Sequence, residues 1–348
     1  MSDVTMGIVA TAHHLPPDVM TAEEVAAAAD LPLWVVTEKL GITKKHIATP
    51  DTHPNELAVV AGRECIDKAG IDPGEIDVVI CTTEEWKEYC LWTAGIDLAH
   101  ELGATNAWGF DIHMRCATTV SALKMARSLM ADDDDIDTVM IGGGYVTSQF
   151  IDFTNPRTSF LFNIGCGAGA MIVKRGHPAN RVLGTHLMSD GSMARHVIVP
   201  ASGTVQHPTD EAVAAGEFCF DLVEPEAMKS RLNAVSMDNW MHCIDESLRK
   251  SGTKADGTPY TRDDISFLNM LLVKPSAYRD MLERLGLSED RSVYLDEIGH
   301  IGEQDTIIAI DEGVRTGRLR DGDVMAMIGA GIGYVWAAGI VQWGPVEV

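Results

Sequence analysis

Two stretches of this chain read as copies of one plan. A helical run from Cys116 to Met130 leads into Asp135-Ile-Asp-Thr-Val-Met-Ile-Gly142. A helix over 305–316 leads into Asp321-Gly-Asp-Val-Met-Ala-Met-Ile-Gly329. Each copy contains an apolar strand that must lie inside a sheet and a helix that must cover it, which confines the chain to a repeated βα layout. If a pseudo-dyad relates the copies, their helix starts face each other, and Cys116 meets the segment 299–305 in the middle of the molecule.

The remaining sequence alternates in the same manner. Residues 6–12 read as a first strand, and Thr21-Ala-Glu-Glu24 is a capping box that opens an alanine-rich helix. Segments 56–69 and 91–102 read as helices, with a short buried strand over 77–81 between them. Residues 136–141 form a strand ending in Gly142-Gly-Gly144, and 164–173 a glycine turn feeding another strand. In the second half 235–250 reads as a long helix, 252–260 as a polar loop and 265–273 as a strand. A helix over 306–316 precedes a hairpin made of 323–327 and 335–343 around the glycines at 329–333. Helices alternating with short apolar strands predict an α/β protein with largely parallel sheets.

Charge and cysteine usage narrow the function. Lys plus Arg number 27 against 51 Asp plus Glu, a formal charge of -24, which opposes nucleic-acid binding and docking on an anionic membrane. No apolar run is long enough for a membrane span, and the first residues lack the basic-then-apolar order of an export signal. Seven cysteines, an odd number without such a signal, predict reduced thiols and a cytoplasmic location. His13-His14 and His242-Cys243 lack companions at ligand spacing, so neither a metal nor a tightly bound cofactor is expected.

Cys116 is the candidate centre of chemistry. Val120, Leu123 and Met130 give its helix one apolar face. A thiol at a helix start lies among unpaired N–H groups that favour thiolate and negative charge on an attacked carbonyl. The same local pattern also fits a packing cysteine.

Several further motifs accompany it: Trp34-Val-Val-Thr-Glu-Lys-Leu-Gly-Ile-Thr-Lys-Lys-His-Ile47, Phe110–Ala117, Gly165-Cys-Gly-Ala-Gly-Ala170, Ile298–Gly313 with Leu319-Arg-Asp-Gly-Asp323, and the tail Gly329–Gly339. In these, over essentially its whole length, the chain resembles the thiolase superfamily, in particular the β-ketoacyl-[acyl-carrier-protein] synthase III branch. The resemblance implies a homodimer of thiolase-like αβαβα subunits built from two similar halves. Residues 1–173 would carry the nucleophilic cysteine, and 174–348 the histidine and the glycine-rich oxyanion loop. It implies acyl loading of Cys116 from a coenzyme A thioester, or from an acyl-carrier protein, followed by condensation with a second thioester. The backbone N–H groups of Cys116 and of Gly331 or Ile332 would form the oxyanion hole. Gly165–Ala170 would be a tight turn beneath the site.

The sequence departs from this family at two catalytic positions. The usual Pro-His-Gln-Ala-Asn segment is replaced by Leu271-Leu-Val-Lys-Pro-Ser-Ala-Tyr278, leaving Leu271 or Lys274 where a histidine is expected. The usual Gly-Asn-Thr reads Gly299-His300-Ile301, so His300 is the candidate base for Cys116. Glu84 lies one position from the glutamate used by the hydroxymethylglutaryl-coenzyme A-forming branch, and it serves either as an acid or base or as a helix cap. Glu303 and Asp305 are possible caps of the following helix, with Glu303 also able to reach the reacting groups. His113 is read as a packing or dimer-interface residue. Trp34 matches an adenine-stacking aromatic of the family. Glu38 stands where an arginine is usual, with Lys39, Lys44 and Lys45 supplying nearby charge. The leading function is acyl transfer to Cys116 and condensation with a second thioester or small carbon nucleophile. The alternatives are acyl transfer to oxygen or nitrogen, retro-Claisen cleavage, and a non-catalytic subunit of a thiolase-like complex.

Overall fold

The computed structural model describes residues 4–345. The first half runs β1 (Met6–His14), β2 (Val19–Thr21), α1 (Ala22–Ala28), β3 (Lys44–His46), α2 (Pro54–Ala69), β4 (Val78–Cys81), α3 (Ala94–Leu102), β5 (Trp108–Asp111), α4 (Thr118–Asp132), β6 (Thr138–Tyr145) and β7 (Gly167–Arg175). The second continues with β8 (Ala179–Ser189), β9 (Val197–Ile198), α5 (Asp210–Ala214), β10 (Asp221–Leu222), α6 (Pro225–Arg249), β11 (Phe267–Met270), α7 (Pro275–Arg284), α8 (Asp305–Arg315), β12 (Val324–Gly331) and β13 (Val335–Pro345).

Nine strands form one sheet in the order β11-β12-β13-β8-β1-β7-β6-β4-β5. Two runs within it repeat a pattern. From β1 through β7 and β6 to β4 the pairings are antiparallel, antiparallel, parallel. From β8 through β13 and β12 to β11 they are the same. A helix leads into the third strand of each run, α4 into β6 and α8 into β12. The two runs meet where Gly7 of β1 lies opposite Arg181 of β8. The expectation of largely parallel sheets is corrected to a mixed sheet, because β12–β13 is a tight hairpin and β7 returns antiparallel beside β6. Residue 173 falls inside β7, so the two strand sets join at the turn 176–178 rather than where the sequence division placed it.

The layers follow from what each helix touches. Helices α2 and α3 cover the outer face of the first strand set, and α6 covers that of the second. Between them lie α4 and α8, each touching strands of both sets. This is the αβαβα order. Because α4 is enclosed, its expected face is fully buried: Val120, Leu123 and Met130 are at most 1% exposed. Each such side chain contributes about 1.5–3 kcal/mol. The hydroxyl of Ser121, with no water to meet, donates to the Thr118 carbonyl at 2.8 Å.

Local signals set several ends. The Thr21 capping box forms as expected, with Glu24 N–H donating to Thr21 Oγ1 and Thr21 N–H to Glu24 Oε2. Helix α6 begins at Pro225 rather than at Val235. Pro is favoured at a first helical position, but the opening turns are mostly solvent-facing and carry no apolar stripe to announce them. The strand expected over 265–273 contracts to β11, and the helix expected from 91 starts at Ala94.

Strand β3 corrects one binding assignment. Alternation sends the Lys44 side chain outward, where it lies 3.6 Å from Glu297, and the Lys45 side chain inward, where it is 1% exposed. Lys45 Nζ donates to the Phe162 and Ile164 carbonyls at 2.8 and 2.9 Å and sits 5.0 Å over the Phe153 ring. It is a structural clamp and is not available to a coenzyme phosphate. Burial lowers its pKa to about 7 from 10.5. The unfolded chain therefore binds the extra proton between those values, and this group's destabilising burden is relieved as pH rises through that window. Urea unfolding of the parent and Lys45→Met proteins at pH 7 and pH 10 tests this. The parent should gain relative to the variant at the higher pH, by no more than about 5 kcal/mol.

Candidate active site

The turn between β5 and α4 presents Cys116, which is 7% exposed. Thr118 fixes the turn: its Oγ1 accepts from Met114 N–H at 2.7 Å and donates to the Arg115 carbonyl at 2.6 Å. Arg115 is left-handed, with φ at +53°, a conformation that costs a non-glycine residue about 1–3 kcal/mol and needs support from its surroundings. Support comes from behind, where β12 approaches backbone to backbone. A Cβ on Gly331 would lie 2.3 Å from the Met114 carbonyl oxygen, and one on Gly329 would lie 2.8 Å from that of Cys116. The glycine-rich tail thus stands against the Cys116 turn, with Ile332 half-buried next to it.

His300 arrives from the opposite half. Its N–H donates to the Asn163 carbonyl at 2.9 Å, and its carbonyl accepts from Gly165 N–H at 2.8 Å. The glycine turn before β7 therefore anchors the histidine backbone. Its Nε2 lies 3.1 Å from Cys116 Sγ, and its Nδ1 donates to Asp305 Oδ2 at 2.6 Å. Burial pushes the imidazole down, but the charges and bonds of Asp305 and then Cys116 outweigh it, holding His300 well above its ordinary value. The Asp305 carboxylate makes no cap on α8. It accepts instead from His300 and from the N–H groups of Leu272 and Ile301, both at 2.7 Å. The capping role expected of Asp305 is corrected accordingly.

Two carboxyl groups flank the pair. Glu84 is 4% exposed and is ion-paired with Arg115, which also grips Glu85. Burial raises the Glu84 pKa, and the Arg115 charge offsets this only in part. Glu303 is 1% exposed; one oxygen accepts from Gln304 Nε2 at 3.2 Å and the other has no partner. Burial, then the charges of Glu84 and Cys116, raise its pKa well above the ordinary carboxylate value, which favours the protonated form. Tyr145 and Tyr334 complete the surroundings, both raised by burial and then by Cys116. The side chains of Arg115, Tyr145 and Tyr334 escaped the sequence reading. Only the adjacency of Arg115 to Cys116 signalled any of them.

The other expected residues lie apart. Leu271 is buried in the apolar cluster that includes Cys116, whereas Lys274 is exposed at the N-cap of α7. Among the described residues, His300 is the one imidazole hydrogen-bonded to Cys116. Trp34 is half-exposed, with Lys39 Nζ 5.9 Å above its ring, and Lys44 is on the surface. His113 is exposed rather than packed, 3.7 Å from Glu85. Among the described residues, no group of three or more His, Cys, Asp or Glu is placed to hold a metal ion. No helix among them is long and apolar enough to cross a membrane.

Comparison with known proteins matches this layout. The 3-oxoacyl-[acyl-carrier-protein] synthase III profile covers residues 110–191, and the profile of that family's C-terminal region covers 256–343. The β-ketoacyl-[acyl-carrier-protein] synthases III of Caldanaerobacter subterraneus subsp. tengcongensis and Desulfitobacterium hafniense are each 27% identical to the chain, with 98% of both chains covered. In fold it is similar to the 3-oxoacyl-(acyl carrier protein) synthase III of Pseudomonas aeruginosa. That structure superposes with a TM-score of 0.80 at 22% identity, covering 99% of this chain and 100% of the other. Xanthomonas campestris OleA, solved with bound lauric acid and lauroyl-CoA, gives 0.79 at 17% identity, covering 97% and 99%.

The glycine contact yields a test. Gly331→Ala forces the β12 backbone away from the Met114 carbonyl, and a displacement near 1 Å can cost about 10²-fold in rate. The expected outcome is at least tenfold slower acylation of Cys116 in stopped-flow assays, with the far-UV circular dichroism spectrum retained.

Proposed function

Because the chain belongs to the thiolase superfamily, as a 3-oxoacyl-[acyl-carrier-protein] synthase III-like acyl-transferring enzyme, we propose that Cys116 carries an acyl group between two substrates. One observation carries this reading: a buried thiol 3.1 Å from an imidazole. The thiol proton passes to His300 Nε2, and the thiolate attacks the donor thioester carbonyl. N–H groups of Cys116 and of Gly331 or Ile332 receive the oxyanion. As the intermediate collapses, the departing thiolate takes the proton back from His300, leaving the acyl-enzyme.

The second half-reaction uses the two carboxyl groups in different roles. Glu84, raised but paired with Arg115, is the base that removes a proton from the α-carbon of a second thioester. Glu303, holding its proton, hydrogen-bonds to the oxygen of the enolate that forms. The enolate carbon attacks the acyl-enzyme carbonyl, and the Cys116–acyl bond breaks with the sulfur leaving as thiolate and taking a proton through His300. Separated proton affinities of this kind assign acid and base. This route needs neither the missing second histidine nor a malonyl carboxylate. The buried leucines at 271 and 272 favour one alternative, transfer of the acyl group to a hydroxyl or amine, which makes no enolate.

The donor is a coenzyme A thioester. Exposed Trp34 offers an adenine platform, and Lys39 and Lys44 offer phosphate contacts; the lauroyl-CoA complex of OleA accords with such a donor. An acyl-carrier protein is the second candidate. We also propose a homodimer formed along β5. This strand is one of the two edges of the sheet, and Trp108 on it is 49% exposed in a region that also exposes Leu91 and Ile96.

Intact-mass analysis after incubation with acetyl, malonyl and lauroyl-CoA should show one acyl adduct in the parent and none in Cys116→Ala. Failure of every donor to label a folded parent protein removes the acyl-carrier reading. Glu84→Gln should acylate within about threefold of the parent rate yet lose about 10²-fold or more in product formation from a second thioester. Equal losses in both steps would point to a structural role for Glu84. Sedimentation velocity should show a dimer that Trp108→Lys converts to monomer.

A further inference from the structure

We propose that Asp305 is a positioning residue for His300, so that Cys116, His300 and Asp305 act as a three-membered relay. The proposal rests on the reading of Cys116 as the acyl-carrying nucleophile. Asp305 is wholly buried, and among the described residues its one ion-pair partner is the His300 ring. Its other two bonds come from backbone N–H groups on separate segments, Leu272 after β11 and Ile301 before α8. These bonds fix the carboxylate in place before it meets the imidazole. A carboxylate can only accept, so His300 Nδ1 must bear a hydrogen, and the Nε2 lone pair is left facing Sγ at 3.1 Å.

Proton transfer then balances within the three groups. The Sγ–H bond breaks and the Nε2–H bond forms. Sulfur keeps the electron pair, and the imidazolium stands between thiolate and carboxylate. Asp305 keeps its charge throughout and gains no proton. The same carboxylate also binds the segment where the family carries a second histidine, so one buried charge steadies both walls of the site. Other titratable or charged groups around the pair are Glu84, Glu303, Tyr145, Tyr334 and Arg115. None of them hydrogen-bonds to either ring nitrogen of His300.

The test is the pH profile of Cys116 alkylation by iodoacetamide, read as modified peptide by mass spectrometry. In Asp305→Asn the rate at pH 7 should fall at least about tenfold, with the rising limb displaced to higher pH. In a His300→Ala background the same substitution should add less than about twofold, because the carboxylate acts through the ring. Should Asp305→Asn fail to fold, proton NMR of the parent protein decides. A far-downfield Nδ1–H resonance that disappears in His300→Ala supports the relay, and its absence at every pH from about 5 to 9 overturns it. A wild-type alkylation profile in folded Asp305→Asn overturns the relay while leaving the acyl-carrier reading intact. A parent cysteine that neither alkylates nor acylates overturns both.

Discussion

Helices α4 and α8 have a strand set on each side, and this enclosure of their first turns governs the rest of the molecule. Their opening turns are fully buried and present only apolar or hydrogen-bonded side chains, whereas Lys124, Ser128 and Arg315 further along reach solvent. Val120, Leu123, Ile307 and Ile310 meet that demand by burial, and Ser121 meets it by bonding back to its own helix. The N-terminal segments of the two helices converge, and Thr119 Oγ1 donates to the Glu303 carbonyl at 2.6 Å, tying one to the other. The thiol, the imidazole and the buried acids all lie within this junction.

Within it, charge is rationed. Among the described residues, Arg115 is the one cation paired with the buried Glu84, and it is shared with Glu85. Among the described residues no cation pairs with Glu303, and burial raises its pKa, while Asp305 is matched by a ring that can carry charge only while holding a proton. The overall charge of -24 says little about this. Surface carboxylates are screened over about 10 Å at moderate salt, whereas groups lying a few ångströms apart without water are not. In a strongly acidic protein, the proton affinities at the centre are therefore set by burial and by the nearest partners rather than by the net charge.

The sequence made the repeat legible because α4–β6 and α8–β12 use the same order of helix, acidic turn and apolar strand. It also located Cys116 and His300 from opposite ends of that repeat. Several features stayed hidden because they depend on tertiary partners. Strand β8 includes Asn180, Arg181, Gly184 and His186, and it becomes a strand because β13 pairs along it. Lys45 counted as a binding charge until the alternation of β3 turned it inward. Asp305 had the residue type and position of a helix cap, but its bonds go to Leu272, Ile301 and His300. The missing family histidine was plain in the sequence. That a carboxylate from another element would hold the emptied segment was not.

Each half contributes part of the reacting set: Cys116, Glu84 and Arg115 come from the first, and His300, Glu303, Asp305 and the glycine hairpin from the second. This division has a consequence during synthesis. While a ribosome is still making the second half, Cys116 is an ordinary thiol with no base to activate it and no β12 behind its turn. If Cys116 carries acyl groups as proposed, its reactivity waits for α8 and β12 to emerge, and the order of synthesis spares the nascent first half from premature acylation.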